Sequence, residues 1–598
     1  MWGTAYRAST MGVLVLLITG CNGLEESNLL EPGLILPGGI EAVGAGTGVP
    51  VRPEEETVGV DTDGDGIVDT RDNCPHQKNP PQYDGDSDGL GDVCDPDWDQ
   101  DLIRNAVDNC PLHHNPNQAD RNENGTGDQC ETIVEPPVGT ICGDEALAGN
   151  FTVRTIADIA LLNTYTGITG KLTFELVDGI EAVSFECLES IEHGIEITTC
   201  CGKPGNLDIR SIAFPALVEI GKLNIGTVTA LEVLSFPQLR EVEDYLLVQQ
   251  NPHLQHLDLP LLQSVGDEMI VDDLPLESLD LPELKDVGLL RVEDLPNPSS
   301  LDFPALEHAK YMRIASMGQM TAISANSLED ISRLDIVENP QLMNLSFPEV
   351  TTLVDGLWVQ FNESLEILEI PHLTHVGRLD VLANANLQQI ELPSLERLTG
   401  DLRVRGQQNE PSPPLEEFHL PALKSVDGDV VVSQFLSMMS LQLPALEEVG
   451  GDVTLFSLPE VFVFKLNALQ TVGGVITMNM RLKQIELASL EEIGKDLQVD
   501  GGFVSELESL QFPVLHTLGG DLRILENKDM TQFSAQELKF IGGNVIFNAN
   551  FAFAECLVTA LIDQVEQAGG VEGVLSSSDN NADCICSEPP GAVFAMCF

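Results

Sequence analysis

Apolar residues recur along most of this chain in one phrase, apolar-x-apolar-Pro-x-Leu-x-x-Val-Gly, first met near Phe214 and still present at about Gly543. It reads Ser-Phe-Pro-Gln-Leu at 235–239, Asp-Leu-Pro-Glu-Leu at 280–284, Gln-Leu-Pro-Ala-Leu at 442–446 and Gln-Phe-Pro-Val-Leu at 511–515. The prolines, or the residues standing in for them, fall at 215, 237, 260, 282, 304, 326, 348, 371, 393, 421, 444, 467, 488, 513 and 536, which makes fifteen copies at steps of mostly 22 or 23. A period that short, held over more than 300 residues, predicts a solenoid whose coils bury their apolar faces only against their neighbours.

Alternation within a coil predicts its strands. Around Pro371, Leu368 and Ile370 point one way with Glu369 opposite, and Leu379 and Val381 point inward with Asp380 opposite. That period of two predicts two short strands per coil, stacked into parallel sheets at roughly 4.8 Å spacing. Proline is expected just after a strand, where its missing N–H costs no ladder bond, and the glycine of Val-Gly is expected to take positive φ at the next corner. The solenoid, of about 15 coils, is assigned to 142–553, its first part being less regular but strand-like at Phe151-Thr-Val and at 168–174. Residues 554–598 read as a cap: Leu557, Leu561, Ile562 and Val565 have helical spacing that stops at Gly569-Gly570.

Between 61 and 131 this pattern vanishes, and Asp recurs at every second position, so the stretch cannot fold around an apolar core. Four twelve-residue frames begin at Asp61, Asp84, Asp97 and Asp120. The first offers Asp61, Asp63 and Asp65, a turn at Gly66, the carbonyl of Ile67 and the carboxylate of Asp72; the second offers Asp84, Asp86, Asp88, Asp92 and Asp95. Hard oxygens converging from a loop are what calcium requires. The third frame, Asp97, Asp99, Asp101 and Asp108, has Leu102 where glycine is expected, and the fourth, Asp120, Asn122, Asn124 and Glu131, trades charge for neutral oxygens.

Net charge is −66, with 18 acids against 4 bases in 61–131 and 69 against 23 in 142–598. So acidic a surface repels phosphate backbones, which argues against nucleic-acid binding and favours cations or basic partners. At the start, Arg7 precedes an apolar run from Met11 to Ile18, too short to span a membrane and suited to a secretory signal over 1–20. Residues 21–60, rich in Gly, Pro and Glu, read as a flexible tether.

Three stretches resemble known families. Leu17-Ile18-Thr19-Gly20-Cys21 resembles the lipobox of bacterial lipoproteins. This implies a lipid on Cys21 that holds the protein to the bacterial envelope, and Asn22 behind it favours the outer membrane. Asp72-Asn73-Cys74-Pro75 and Asp108-Asn109-Cys110-Pro111, continued by Asn79, Gln82 and Gly91-Asp92 and by Asn115, Gln118 and Gly127-Asp128, resemble thrombospondin type 3 repeats. That resemblance implies backbone wrapped around calcium, with disulfides Cys74–Cys94 and Cys110–Cys130. The repeated phrase resembles the receptor L domain, a leucine-rich, right-handed β-helix, and identifies a fold better than an activity.

The remaining cysteines leave choices open. Cys142, Cys187, Cys200 and Cys201 allow three pairings, of which adjacent Cys200–Cys201 suits disulfide geometry least. Cys556, Cys584, Cys586 and Cys597 would staple the cap; zinc on Cys584-x-Cys586 is the alternative, disfavoured by its spacing and by an oxidising setting.

Any specificity resides in outward positions. The row running Arg291, Arg313, Asp335, Trp358, Asp380, Arg403, Val431, Thr454, Thr477, Gln498 and Arg523 gathers arginines and a tryptophan on one face, and Arg291, Arg313, Trp358 and Arg403 are its candidate ligand residues. The acidic row Asp258, Asp280, Asp302, Glu369 and Glu391 reads as a solvated face. The expected function is a noncatalytic cell-surface lipoprotein whose calcium-stiffened stalk presents the solenoid to a protein or polysaccharide. The alternatives are a parallel β-helix enzyme acting on polysaccharide and a purely structural envelope component. Enzymes of that kind cluster carboxylates over a few adjacent coils, whereas here one consensus runs through every coil and the longest departure, 406–414, is proline-rich.

Overall fold

A computed structural model describes residues 62, 67–78, 90, 94–95, 103–105, 109, 118, 142–175, 180–198, 209–407, 413–479, 481–502, 505–581, 585–587 and 594–596. It divides into two units, Met1–Ala106 and Val107–Phe598. The second is mainly β, a parallel solenoid of about 17 turns. There are more turns than copies of the phrase because coils at both ends stack without its proline. Phe151–Val153 pairs in parallel with Leu172–Phe174, and Val545–Asn548 with Leu575–Ser578.

A typical coil has three strands rather than the expected two. Around Pro371 they are Ile367–Glu369, His375–Val376 and Leu379–Leu382. The middle one is only two residues long, too short for alternation to reveal, and its single inward residue is the Val of Val-Gly. Leu368, Ile370, Leu373, Val376, Leu379 and Val381 are each at most 1% exposed, and burying such a side chain is worth about 1.5–3 kcal/mol. Their cover comes from the coils above and below, so the stack is stable where a lone coil would not be. The residue before the proline, Phe214 and Phe236 in two successive coils, continues a spine begun by Phe185 in the coil before, with ring centroids 4.8 and 5.2 Å apart.

Proline sits two residues beyond the end of the first strand, as expected: Val233–Ser235 ends, Phe236 donates its N–H to Asp258 O, and Pro237 opens a turn closed by Leu239 N–H to Phe236 O. The glycine of Val-Gly behaves differently from expectation. Gly377, Gly450, Gly473, Gly494, Gly519 and Gly542 do not have positive φ. A Cβ on them would lie 2.1 to 2.3 Å from a carbonyl oxygen of the preceding coil. Glycine is required there by close stacking.

Positive φ falls instead at the corner after the third strand, on non-glycine residues such as Gln250, Glu338, Phe361, Ala383, Glu526 and Ala549. The residue that follows explains why. Asn251, Asn339, Asn362, Asn384, Asn527 and Asn550 are almost fully buried. Asn362 Oδ1 accepts the Asn339 N–H at 3.1 Å, while its own Nδ2 donates to Ile336 O at 2.9 Å and its N–H to Asn384 Oδ1 at 3.0 Å. The side chains thus accept from N–H groups at the corner, beyond the third strand, and donate to a carbonyl near the end of that strand in the preceding coil. Where Asn is missing, Val228, Leu274, Leu295, Met317, Phe435 and Leu458 fill the place and are buried.

Two helices close this unit. α1, Ile156–Leu162, begins at a capping box in which Thr155 and Asp158 satisfy each other's backbone. α2, Glu555–Ala568, follows the expected span, burying Val558, Leu561 and Val565 and stopping at Gly569. Strands Gly570–Val571 and Leu575–Ser578 then extend two of the sheets beyond it. Cys142 pairs with Cys187, a choice the sequence left open, and Cys556 is disulfide-bonded.

Candidate functional site

In the aspartate-rich stretch, Asp61, Asp63, Asp65, Asp84, Asp86, Asp88, Asp92, Asp97, Asp99, Asp101, Asp108, Asp120, Asn122, Asn124 and Glu131 lie outside the described residues, as do Cys21, Cys110 and Cys130. Those described are consistent with a loop built to converge oxygens. Arg71 and Asp72 both donate their N–H groups to Val68 O, which curls the chain back after Ile67. Asp72 is 8% exposed and its Oδ1 accepts the Cys74 N–H at 2.8 Å. Cys74 is bonded to Cys94. Asp69, the ninth position of the first frame and the counterpart of Asp92, was missed by the sequence reading. It accepts both the N–H and the hydroxyl of Thr62, and that hydroxyl bond holds its carboxyl below the usual range. In the next motif, Asn109 donates to both Oε1 and the carbonyl of Gln118. Hard oxygen donors on a tight, cross-linked loop suit calcium, and nothing in these contacts obstructs it.

The arginine row is a true ladder. Ile270, Arg291, Arg313, Asp335, Trp358, Asp380, Arg403 and Val431 are successive register partners on adjacent strands. What the sequence could not reveal is that the arginines are already engaged. Glu293, 6% exposed, receives Arg291 Nη2 at 2.5 Å and Arg313 Nε. Asp335, 1% exposed, is gripped by Arg333 Nε and Nη2 at 2.9 and 2.8 Å and by the Tyr311 hydroxyl at 2.7 Å. Asp380, expected on the open side, is 8% exposed under Arg378, whose Nη2 lies 2.7 Å away, and Arg403 bonds Asp401 at 2.8 Å.

Planar groups stack through this lattice. The Arg333 guanidinium lies 4.1 Å from the Trp358 ring and 4.9 Å from Tyr311, and Arg378 lies 5.9 Å from Trp358. Gly356, with φ of 140°, makes room: a Cβ there would come within 2.9 Å of the indole. Arg333 and Tyr311 belong to an outward row that the sequence reading passed over, two residues ahead of the arginine row. Their signal was available, since both sit at the 22-residue repeat.

Electrostatics follows from burial and partners. Burial opposes ionisation of Glu293, yet hydrogen bonds from Arg291 and Arg313 hold its carboxyl below the ordinary value. Burial pushes Asp272 upward against the pull of Arg291. Burial beside Asp335 pushes the Tyr311 hydroxyl up to about 12.

The acidic row Asp258, Asp280, Asp302, Glu369 and Glu391 is exposed, with Ser235, Ser278 and Ser324 hydroxyls bonded to its first three members. On another face, an open groove of about 460 Å³ contains Glu241, Asp286, His308, Lys310 and Asp330; His308 lies 4.0 Å from both Asp286 and Asp330. Among the described residues no group of three or more acidic, His or Cys side chains is arranged to hold a metal, and no helix is long and apolar enough to cross a membrane.

The architecture defines a parallel β-solenoid preceded by an acidic, cysteine-linked segment. For that segment, the family model of the thrombospondin type 3 repeat matches residues 60–82 and 83–118, and such repeats bind calcium. No curated protein and no solved structure matches the chain. Thrombospondin repeats together with disulfides are features of an extracellular protein.

Proposed function

We propose that the chain is a noncatalytic surface protein in which a calcium-stiffened stalk presents the solenoid for adhesion or ligand recognition, anchored by a lipid on Cys21. The observation that carries this reading is the pairing of thrombospondin type 3 repeats at 60–118 with a long, regular solenoid. One module is suited to stiffening by ions and the other to offering a long flat face. The receptor L domain is the fold family whose repeat phrase it resembles. The lipobox residues Leu17 to Cys21 support the anchor.

The test follows from the modular design. Chelating calcium should make residues 61–131 sensitive to protease while the solenoid keeps its β signal in circular dichroism; loss of both together would refute the stalk and scaffold division. Cys21→Ser should release the protein from membranes, and unchanged membrane association would rule out the lipid.

A further inference from the structure

In the arginine lattice the acids lie beneath and the guanidinium ends reach outward, with Nε of Arg291, Arg378 and Arg403 buried. Glu293, Asp335 and Asp380 are 6%, 1% and 8% exposed, whereas the side chains of Arg291, Arg313, Arg333 and Arg378 are 42%, 31%, 39% and 32% exposed. Arg291 and Arg378 hydrogen-bond their partners through Nη2 alone, and Arg333 through Nε and Nη2, so Nη1 of each has no acceptor among the described residues. The Trp358 indole N–H likewise has none among them. The outer surface is therefore rich in donors. It runs over six successive rungs from Arg291 to Arg403, about 24 Å at the usual strand spacing.

Charge decides what such a surface accepts. Five guanidiniums, Arg291, Arg313, Arg333, Arg378 and Arg403, are met by six acids, Asp272, Glu293, Asp335, Asp380, Asp401 and Asp429, so no positive charge is left over. A further anion would approach carboxylates that already neutralise these arginines, inside the field of a chain with net charge −66. A cation would meet the outward guanidiniums over most of the face, with part-exposed carboxylates only toward its ends, at Asp272 and at Asp401 and Asp429. An uncharged ligand with many oxygen acceptors has neither penalty, and a length of six rungs suits a polymer better than a single small molecule. Beyond Arg403 the row turns to Val431, Thr454 and Thr477, so the face ends there.

We infer that this face, from Arg291 to Arg403 and centred on Trp358, binds a neutral polysaccharide lying along the solenoid axis. The inference rests on the recognition reading above and names its ligand class. The planar column of Tyr311, Arg333, Trp358 and Arg378 presents its N–H edges to hydroxyl and ether oxygens, and because those donors are held by buried acids, little ordering entropy is lost on binding.

Affinity electrophoresis of the full chain in native gels tests this, with hydroxyethyl cellulose, soluble starch, galactomannan and arabinoxylan as neutral probes and polygalacturonate as the anionic one. At least one neutral glycan should retard the protein, equally with and without 0.5 M NaCl. Trp358→Ala should weaken that retardation about tenfold, the effect expected of a central aromatic anchor. Trp358→Phe, which keeps a ring and loses the N–H, should also weaken it while leaving far-UV circular dichroism unchanged. Retardation by polygalacturonate alone, abolished by salt, would overturn the inference, as would no retardation by any neutral glycan or full retardation of both variants. A protein captured by wild type and lost with Trp358→Ala, in the absence of glycan binding, would overturn the ligand class and leave the recognition reading intact.

Discussion

Coils 286–337 and coils 448–545 share one repeat phrase yet turn their second corner differently. In the first group the inward residues flanking the corner are separated by two positions, as in Val287 and Leu290, Ala309 and Met312, and Ile331 and Leu334. The chain runs through as single strands, Asp286–Glu293, His308–Ala315 and Asp330–Val337. In the second group three positions intervene, as between Val449 and Val453 or Leu518 and Leu522, and the strand breaks. There an aspartate repairs the corner: Asp452 N–H donates to Asp429 Oδ1 at 2.9 Å, Val475 N–H to Asp452 Oδ1 at 2.8 Å, and Asp521 N–H to Asp496 Oδ1 at 2.8 Å. In these two groups, then, the extra residue accompanies the change from coils laced by side chains on the outer face to coils laced by carboxylates at a corner.

The largest effect should come from closing the tight corner. A Cβ at Gly473 would lie 2.3 Å from Gly450 O, whereas the matching place in the open group holds Lys310. Gly473→Val should cost about 3 kcal/mol, the upper range for overpacking, and Lys310→Ala under about 0.5 kcal/mol, as for ordinary surface changes. Hydrogen exchange of coils 453–479 for the first and 308–337 for the second measures this, because a solenoid opens locally. Equal tolerance at both places would erase the distinction between the corners.

Asn362→Ala should be next, at about 2 kcal/mol, since it leaves the buried Asn339 N–H without its acceptor. Faster exchange confined to coils 336–384 is the expected pattern, and no change would show that the asparagine ladder is dispensable.

Acid should loosen the outer-face lattice. The folded carboxyl of Glu293 is depressed from 4.5, so its contribution is complete above that value and lost as pH falls through the folded one. Asp272, whose carboxyl is raised, works the other way, favouring the fold more once protonated. Trp358 fluorescence, read in a background with both Trp2→Phe and Trp98→Phe, should therefore change below about pH 4.5, and Glu293→Gln should flatten that transition. The smallest effect is spectroscopic. Of the five tyrosines, Tyr311 should ionise at about 12. Ultraviolet titration should show one late phase that Tyr311→Phe removes; because folding favours its proton, any stability it lends is lost as pH rises from about 10 toward 12.

How far the site was legible follows from the range of its interactions. The row Arg291 to Arg403 could be aligned from the repeat because register is fixed by inward residues every 22 or so positions. Its pairing could not, since Glu293 reaches Arg313 twenty residues away and Tyr311 reaches Asp335 twenty-four away. Which acids are buried depends on side chains in adjacent coils.

By itself the sequence determined the solenoid, the place of its prolines, the helix near the carboxyl end and the thrombospondin type 3 repeats, because periodic burial and motif spacing are local properties of the chain. Only the tertiary structure decided that coils have three strands, that the repeated glycines serve stacking rather than positive φ, that Cys142 joins Cys187 and that the arginines are held by buried acids. Each of these depends on contacts that cross from coil to coil, over about 22 residues for the glycines and arginines and over 45 for the disulfide.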